Sequence, residues 1–173
     1  MILDPPPAEL AALLERRRTL GLDRRDEVWE GVLHMMPPPS HAHEMLVSSL
    51  HRMLGPHAEA AGFELTGGVG IGVQDDYRVP DLALHRPGAP PQWHPTAALV
   101  VEVVSPNDES WQKLPFYGAH GVDELLIVDP QNRTVDWLKL EDGEYHAVER
   151  SALIDLGSRA LAARIDWPAV EAS

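Results

Sequence analysis

The chain contains no cysteine among its 173 residues. Disulfides, thiolate zinc sites and cysteine nucleophiles are therefore excluded. It also lacks an apolar run long enough to span a bilayer. Its first residues, Met1-Ile2-Leu3-Asp4-Pro5-Pro6-Pro7, have neither the basic start nor the apolar stretch of a secretory signal. The expectation is a soluble, cytoplasmic protein. Basic side chains are in short supply too: 14 Lys and Arg stand against 27 Asp and Glu, for a net charge of −13. Affinity for nucleic acid comes largely from cations that displace counterions, so a nucleic-acid partner has to be met locally. Bound divalent ions, and a concave face carrying Arg78, Lys113 and their neighbours, would reverse the field at one place. The length suits one domain, written as a helical extension over 1–24 followed by a domain over 25–173, with no repeat or linker.

What is present centres on residues 78–130. Ala98-Leu99-Val100-Val101-Glu102-Val103-Val104 is a strand buried on both faces, with one carboxylate in its middle. An ionised carboxylate in such a place needs a cation, hydrogen bonds or a metal. The proline-rich loop from His85 to Thr96 is short enough for Tyr77–Leu84 to return as an antiparallel neighbour, bringing Asp81 beside Glu102. Two hard oxygen ligands predict magnesium or manganese at Asp81 and Glu102. Asn107 caps the next helix, where Lys113 has two readings: a surface partner of Glu109, or a catalytic lysine aimed at the metal. Pro115 weakens helical geometry there.

Elsewhere, Ala8–Leu20 has the spacing of an amphipathic helix. The arginines Arg16, Arg17 and Arg18 at its carboxyl end read as solvated, the alternative being a face for a phosphate backbone. Asp26–Met36 predicts a strand or hairpin. Ser40 caps a helix of about twenty residues, stopped by Gly62, with Leu46, Leu50, Met53, Leu54 and Ala61 as its buried stripe. His41 and His43, two apart on that helix, point in different directions, which disfavours a shared zinc. His43 or Glu44 can still face the site. Gly67–Gly72 has no following helix and reads as a glycine-rich strand or bulge, not a phosphate loop. Leu125–Pro130 is another buried strand, joined to the first by a helical crossover in a mixed sheet. A hairpin turning at Asp142-Gly143 follows, and the remainder to Ile165 reads as short strands or turns.

Taken in order, Asp26-Glu27-Val28-Trp29-Glu30-Gly31, Met36-Pro37-Pro38-Pro39-Ser40 with His43, Pro80-Asp81, Val101-Glu102-Val103-Val104-Ser105-Pro106, Lys113 with Tyr117, Gly121-Val122 and Ile127-Val128-Asp129-Pro130 resemble the Uma-two family of restriction endonucleases, in the PD-(D/E)XK superfamily. The match covers about residues 25–165. The resemblance implies an α/β, restriction-endonuclease-like core: a mixed sheet flanked by helices, with additional hairpins. It also implies metal-dependent hydrolysis of nucleic acid, DNA foremost, by Asp81, Glu102, Lys113 and Glu27, with Asp81 and Glu102 holding the metal. The superfamily lysine falls two residues after the glutamate, where this chain has Val104, so its role would move to Lys113. Glu27 has a plainer reading as an exposed strand residue. Two alternatives stand beside the enzyme: a module that keeps the fold without turnover, and a histidine-based zinc hydrolase. A homodimer would suit a two-strand cut.

Overall fold

The computed structural model describes residues 7–88, 93–105 and 110–168. Its core grows from β7 (Leu99–Val103), an unbroken aliphatic run around one acid, every residue of which is buried. β6 (Leu82–His85) pairs with it antiparallel, with Leu82 opposite Val101, and β8 (Glu124–Asp129) lies parallel on its other side. A parallel neighbour requires a crossover, provided by a 3-10 turn (Ser110–Lys113) running into α3 (Leu114–Ala119). Pro115 sits in the first turn of α3, where its missing N–H leaves no bond unmade, so it starts the helix instead of breaking it. The Asn107 cap and Glu109 lie outside the described residues.

β9 (Thr134–Glu141) and β10 (Glu144–Val148) form the expected hairpin beyond β8, with Asp142 and Gly143 both at positive φ as the tight turn requires. β3 (Glu64–Thr66) closes the other edge, giving six strands in the order β10-β9-β8-β7-β6-β3. One face is covered by α2 (His41–Ala60), whose side chains Leu46, Val47, Leu50, Met53, Leu54 and Ala58 are buried. Ser40 caps α2 by accepting from the His43 N–H. Ala61 is the exposed carboxyl cap, not a member of the stripe, because the helix ends one residue before it. The other face packs Ala83, Val100, Leu125 and Ile127 against Tyr117 and Val122.

A second, four-stranded sheet has the order β2-β1-β5-β4, from β1 (Glu27–Trp29), β2 (Val32–His34), β4 (Ile71–Val73) and β5 (Asp76–Arg78). Glu30 and Gly31, both at positive φ, make the β1–β2 turn. Of the glycine-rich segment only Ile71–Val73 is strand; Gly67–Gly70 is not. Gly72 has φ +119, and a Cβ there would stand 2.3 Å from the Asp76 carbonyl oxygen, so the tight β4–β5 pairing demands glycine. The chain leaves this sheet at Arg78, passes Val79-Pro80-Asp81 and enters the six-stranded one at Leu82. Asp81 therefore sits at the seam between the sheets.

Two further elements differ from expectation. α4 (Ser158–Ala162) is a short helix where the sequence suggests strands or turns; it packs on β9 and buries Leu161 in the core. α1 (Ala8–Thr19) forms as predicted but buries no residue, and Leu13 and Leu20 stay 44% and 60% exposed. It is not an amphipathic core helix. Arg17 holds it instead, donating from Nε to Asp26 Oδ2 at 3.1 Å and from Nη2 to the carbonyls of Leu22 and Met36. One of the three arginines read as solvated is thus an anchor.

Candidate active site

Four side chains from four elements meet at the seam. Lys113, at the end of the 3-10 turn, reaches inward with its side chain 9% exposed. Its Nζ donates to Glu27 Oε1 at 2.9 Å and to Glu102 Oε1 at 3.2 Å. Tyr117, one turn further into α3, donates its hydroxyl to the same Glu102 oxygen at 2.6 Å. Glu27 is 1% exposed and accepts in addition from the Val79 N–H at 2.9 Å and from Trp29 Nε1 at 2.7 Å. The exposed-strand reading of Glu27 is therefore incorrect: β5 and the crossing chain at Val79 cover it. The surface Glu–Lys reading of Lys113 is likewise replaced by a buried bridge between two carboxylates.

Asp81 lies beside this group with its own partners. Its Oδ2 accepts from the Val103 N–H at 2.9 Å, next to Glu102 along β7. Its Oδ1 receives His43 Nε2 at 2.9 Å and Arg25 Nη1 at 3.3 Å. Arg25 continues to Glu44 Oε1 at 2.7 Å, and His43 Nδ1 meets Ser105 Oγ at 3.1 Å. So His43 faces the site from the first turn of α2, while Glu44 takes part only through Arg25. His41 is exposed, and no cluster of three or more His, Cys, Asp and Glu side chains spaced for a metal occurs among the described residues. Lys113 binds Glu102 and Glu27 rather than Asp81, so the expected single point of convergence is two adjoining groups.

The electrostatics follow from burial. Desolvation pushes the Glu102 carboxyl up to about 7; Lys113 opposes the rise, while the charges of Asp81 and Glu27 add to it. Burial alone would depress Lys113, but Glu102 and Glu27 overcome it and hold the ammonium well above its usual value. The same competition runs the other way at Asp81. Burial would raise it, yet the hydrogen bond and charge of His43, with the Val103 N–H and Arg25, keep it below the ordinary carboxylate range. His43 is raised in turn, Asp81 outweighing its own desolvation. Glu27 and Glu102 thus share one buried ammonium, while Asp81 beside them is held by His43, Arg25 and the Val103 N–H.

Two carboxylates against one ammonium, with Asp81 alongside, would suit a hard divalent cation. Oxygen donors from Glu102 on β7 and from Asp81, just before β6, with no thiolate available, are of the kind such an ion would take, water and substrate filling the remaining positions. Lys113 and Tyr117 both donate to Oε1 of Glu102.

Arg78, expected on a concave face, is instead structural. Its side chain is 6% exposed, sandwiched with its guanidinium carbon 4.4 Å from the Trp29 ring centroid and 4.0 Å from that of Phe116, and it donates to the Val28 carbonyl and to Asp76. Desolvated cations between aromatic faces are stabilised by the ring quadrupoles. The Tyr117 contact was not deduced from sequence; its only signal was its place four residues after Lys113. Arg25, absent from the expected set, gave no local signal at all.

The family model described as Uma2, "Putative restriction endonuclease", matches residues 10–163. The chain belongs to the Uma2 family. A solved structure of "a putative nuclease belonging to DUF820 from Anabaena variabilis ATCC 29413" superposes with a TM-score of 0.67 at 15% identity, covering 80% of this chain and 90% of that one. The fold is therefore shared with that protein, and the restriction-endonuclease-like α/β expectation holds. A cryo-electron-microscopy structure of a DrdV–DNA complex matches at a TM-score of 0.39 and 19% identity, over 68% of this chain and 10% of that one. No curated protein sequence matches the chain.

Tyr117 offers a local test of the Uma2 site. Its hydrogen bond favours the ionised Glu102, so Tyr117→Phe is expected to raise the Glu102 pKa further. Losing a hydrogen bond to a charged group should destabilise the fold by about 1.5–3 kcal/mol. In any activity that needs ionised Glu102, the acid limb of the pH profile should move to higher pH. An unmoved limb would separate Tyr117 from the titration of Glu102.

Proposed function

We propose that this Uma2 protein is a metal-dependent endonuclease that hydrolyses phosphodiester bonds of nucleic acid, DNA foremost, with magnesium or manganese held by Asp81 and Glu102. The observation that carries the reading is the buried Glu27–Lys113–Glu102 bridge lying beside Asp81. A fold has little structural use for an ammonium buried between two carboxylates, because an apolar set of similar volume is commonly as stable or more so. Their cost is explained if they act on a charged substrate.

The bound cation would supply Lewis-acid polarisation of the phosphate and a water of lowered pKa. The chain's own groups do the rest. Asp81 stays ionised because His43, Val103 N–H and Arg25 stabilise its charge. Tyr117 and Lys113 both donate to Glu102 Oε1, which fixes its rotamer. Lys113, held as an ammonium, offsets charge developing on the phosphoryl oxygens. It comes from the crossover instead of from two residues after Glu102, where Val104 packs against the core.

A gel assay on supercoiled plasmid, single-stranded DNA and RNA, with magnesium, manganese or chelator, tests the activity. Cleavage that needs the metal is expected, and its absence on all three substrates would sink the assignment. Calorimetric titration with manganese isolates the cation: Asp81→Ala should weaken binding at least about tenfold, given what even indirect ligand support contributes. Equal affinity in the two proteins would remove Asp81 from the site. The second reading, a binding module without turnover, is favoured by Asp81 Oδ1 being held already by His43 and Arg25. Binding without metal-dependent cleavage would select it. For a two-strand cut we propose a twofold pair of chains; a one-chain mass by light scattering under cleavage conditions would exclude that.

A further inference from the structure

The arginines around the end of α1 remain unexplained by the core. Residues 16–25 read Arg-Arg-Arg-Thr-Leu-Gly-Leu-Asp-Arg-Arg, placing five of the chain's 14 Lys and Arg within ten residues of a protein of net charge −13. Arg16, Arg18 and Arg24 are exposed, and Arg25 is half-buried. The helix dipole accounts for cations in the last turn of α1 but not for Arg24 and Arg25 beyond it. α1 itself buries nothing, yet Arg17 ties it firmly to Asp26, the residue preceding Glu27. That anchoring holds in place a segment whose Arg16, Arg18 and Arg24 are exposed.

Arg25 joins this segment to the site. Arg25 ends on Asp81 and Glu44, and Arg24 precedes it in the chain. Acidic proteins that meet a polyanion need such a local reversal of field. We infer that Arg16, Arg18 and Arg24 form a phosphate-binding arm that guides the nucleic-acid backbone toward Asp81 and Glu102, with Arg25 at the junction. Arg17 is excluded, its guanidinium being taken up by Asp26 and the Leu22 and Met36 carbonyls. The inference rests on the nuclease reading and names the part of the surface that the substrate touches outside the acidic cluster.

The test is the salt dependence of binding to a short duplex DNA in chelator, where strands stay intact, with cleavage in magnesium measured alongside. Each phosphate contact adds about 0.9 to the slope of log K against log salt, so Arg16→Gln/Arg18→Gln/Arg24→Gln should flatten it by roughly 2.7. Between about 50 and 200 mM salt, the fold loss in affinity should then shrink by about 40-fold. The matching triple lysine variant should keep the wild-type slope, since the contact is with charge. Circular-dichroism melts of these exposed-residue variants should match wild type. A wild type that cleaves while the glutamine variant keeps the full slope, or that cleaves without measurable binding, overturns the arm and leaves the nuclease standing. Absence of both binding and cleavage in the wild type overturns the two together.

Discussion

Lys113→Met should destabilise the protein by about 3–5 kcal/mol at neutral pH, the range seen when one member of a buried ion pair is removed and its partner is left without a counter-charge. Here the loss strands two carboxylates at once, Glu27 and Glu102, in a space where both are almost wholly buried. The pH dependence distinguishes this cause from lost packing. A carboxyl whose folded pKa lies above its unfolded value is favourable below the unfolded pKa, and that contribution is lost as pH rises through the folded one. For wild-type Glu102 the window runs from its ordinary 4.5 to about 7. Lys113 is the strongest influence lowering the Glu102 pKa, so removing it extends the window upward. Urea midpoints of wild type and variant should therefore diverge more at pH 8.5 than at pH 5.5. His43 and Asp81 titrate in both proteins and largely cancel in the comparison. A difference that is small, or equal at the two pH values, would mean that the bridge is not what neutralises the acids.

The sequence made some of this site legible and concealed the rest for identifiable reasons. Glu102 stood out because its neighbours are uniformly aliphatic, and a single acid in a doubly buried strand leaves few explanations. The short connection before β7 limits the pairing to an antiparallel one, as found for β6, but the expected strand Tyr77–Leu84 is split between the two sheets and Asp81 lies in the break. Glu27 could not be decided locally: its burial comes from β5 and from Val79, some fifty residues later in the chain. His43, which the sequence allowed to face the site from the first turn of α2, does so, whereas Arg25, just before β1, reaches Asp81 through a tertiary contact with no periodic signature. Arg78 illustrates the opposite error. Its charge suggested a substrate-facing role, but Trp29 and Phe116, distant in sequence, close over it and turn it into packing. For α1, helical spacing predicted the helix correctly but could not say whether anything would cover its leucines.

Glu102→Gln should separate catalysis from folding more sharply than any other single change. Glutamine keeps the volume, and its carbonyl can still accept from Tyr117 and Lys113, so the hydrogen bonds at Oε1 survive in neutral form. It removes the one carboxyl that burial and neighbouring acids push up to about 7, and with it the disfavour that ionisation brings to the folded state above that pH. The urea midpoint at pH 8 should be unchanged or raised, and the decline of stability between pH 4.5 and about 7 should flatten. Cleavage, by contrast, should fall by at least about 100-fold, the scale on which loss of one preorganised charge-stabilising group is felt. Opposite signs in the two measurements would be the pattern of a residue retained for chemistry at the expense of stability. Should Glu102→Gln instead cleave at full rate, the ligand role of this strand would be lost. Should it unfold, Glu102 would be structural, and the Glu27–Lys113 pair would have to be reconsidered as part of the same scaffold.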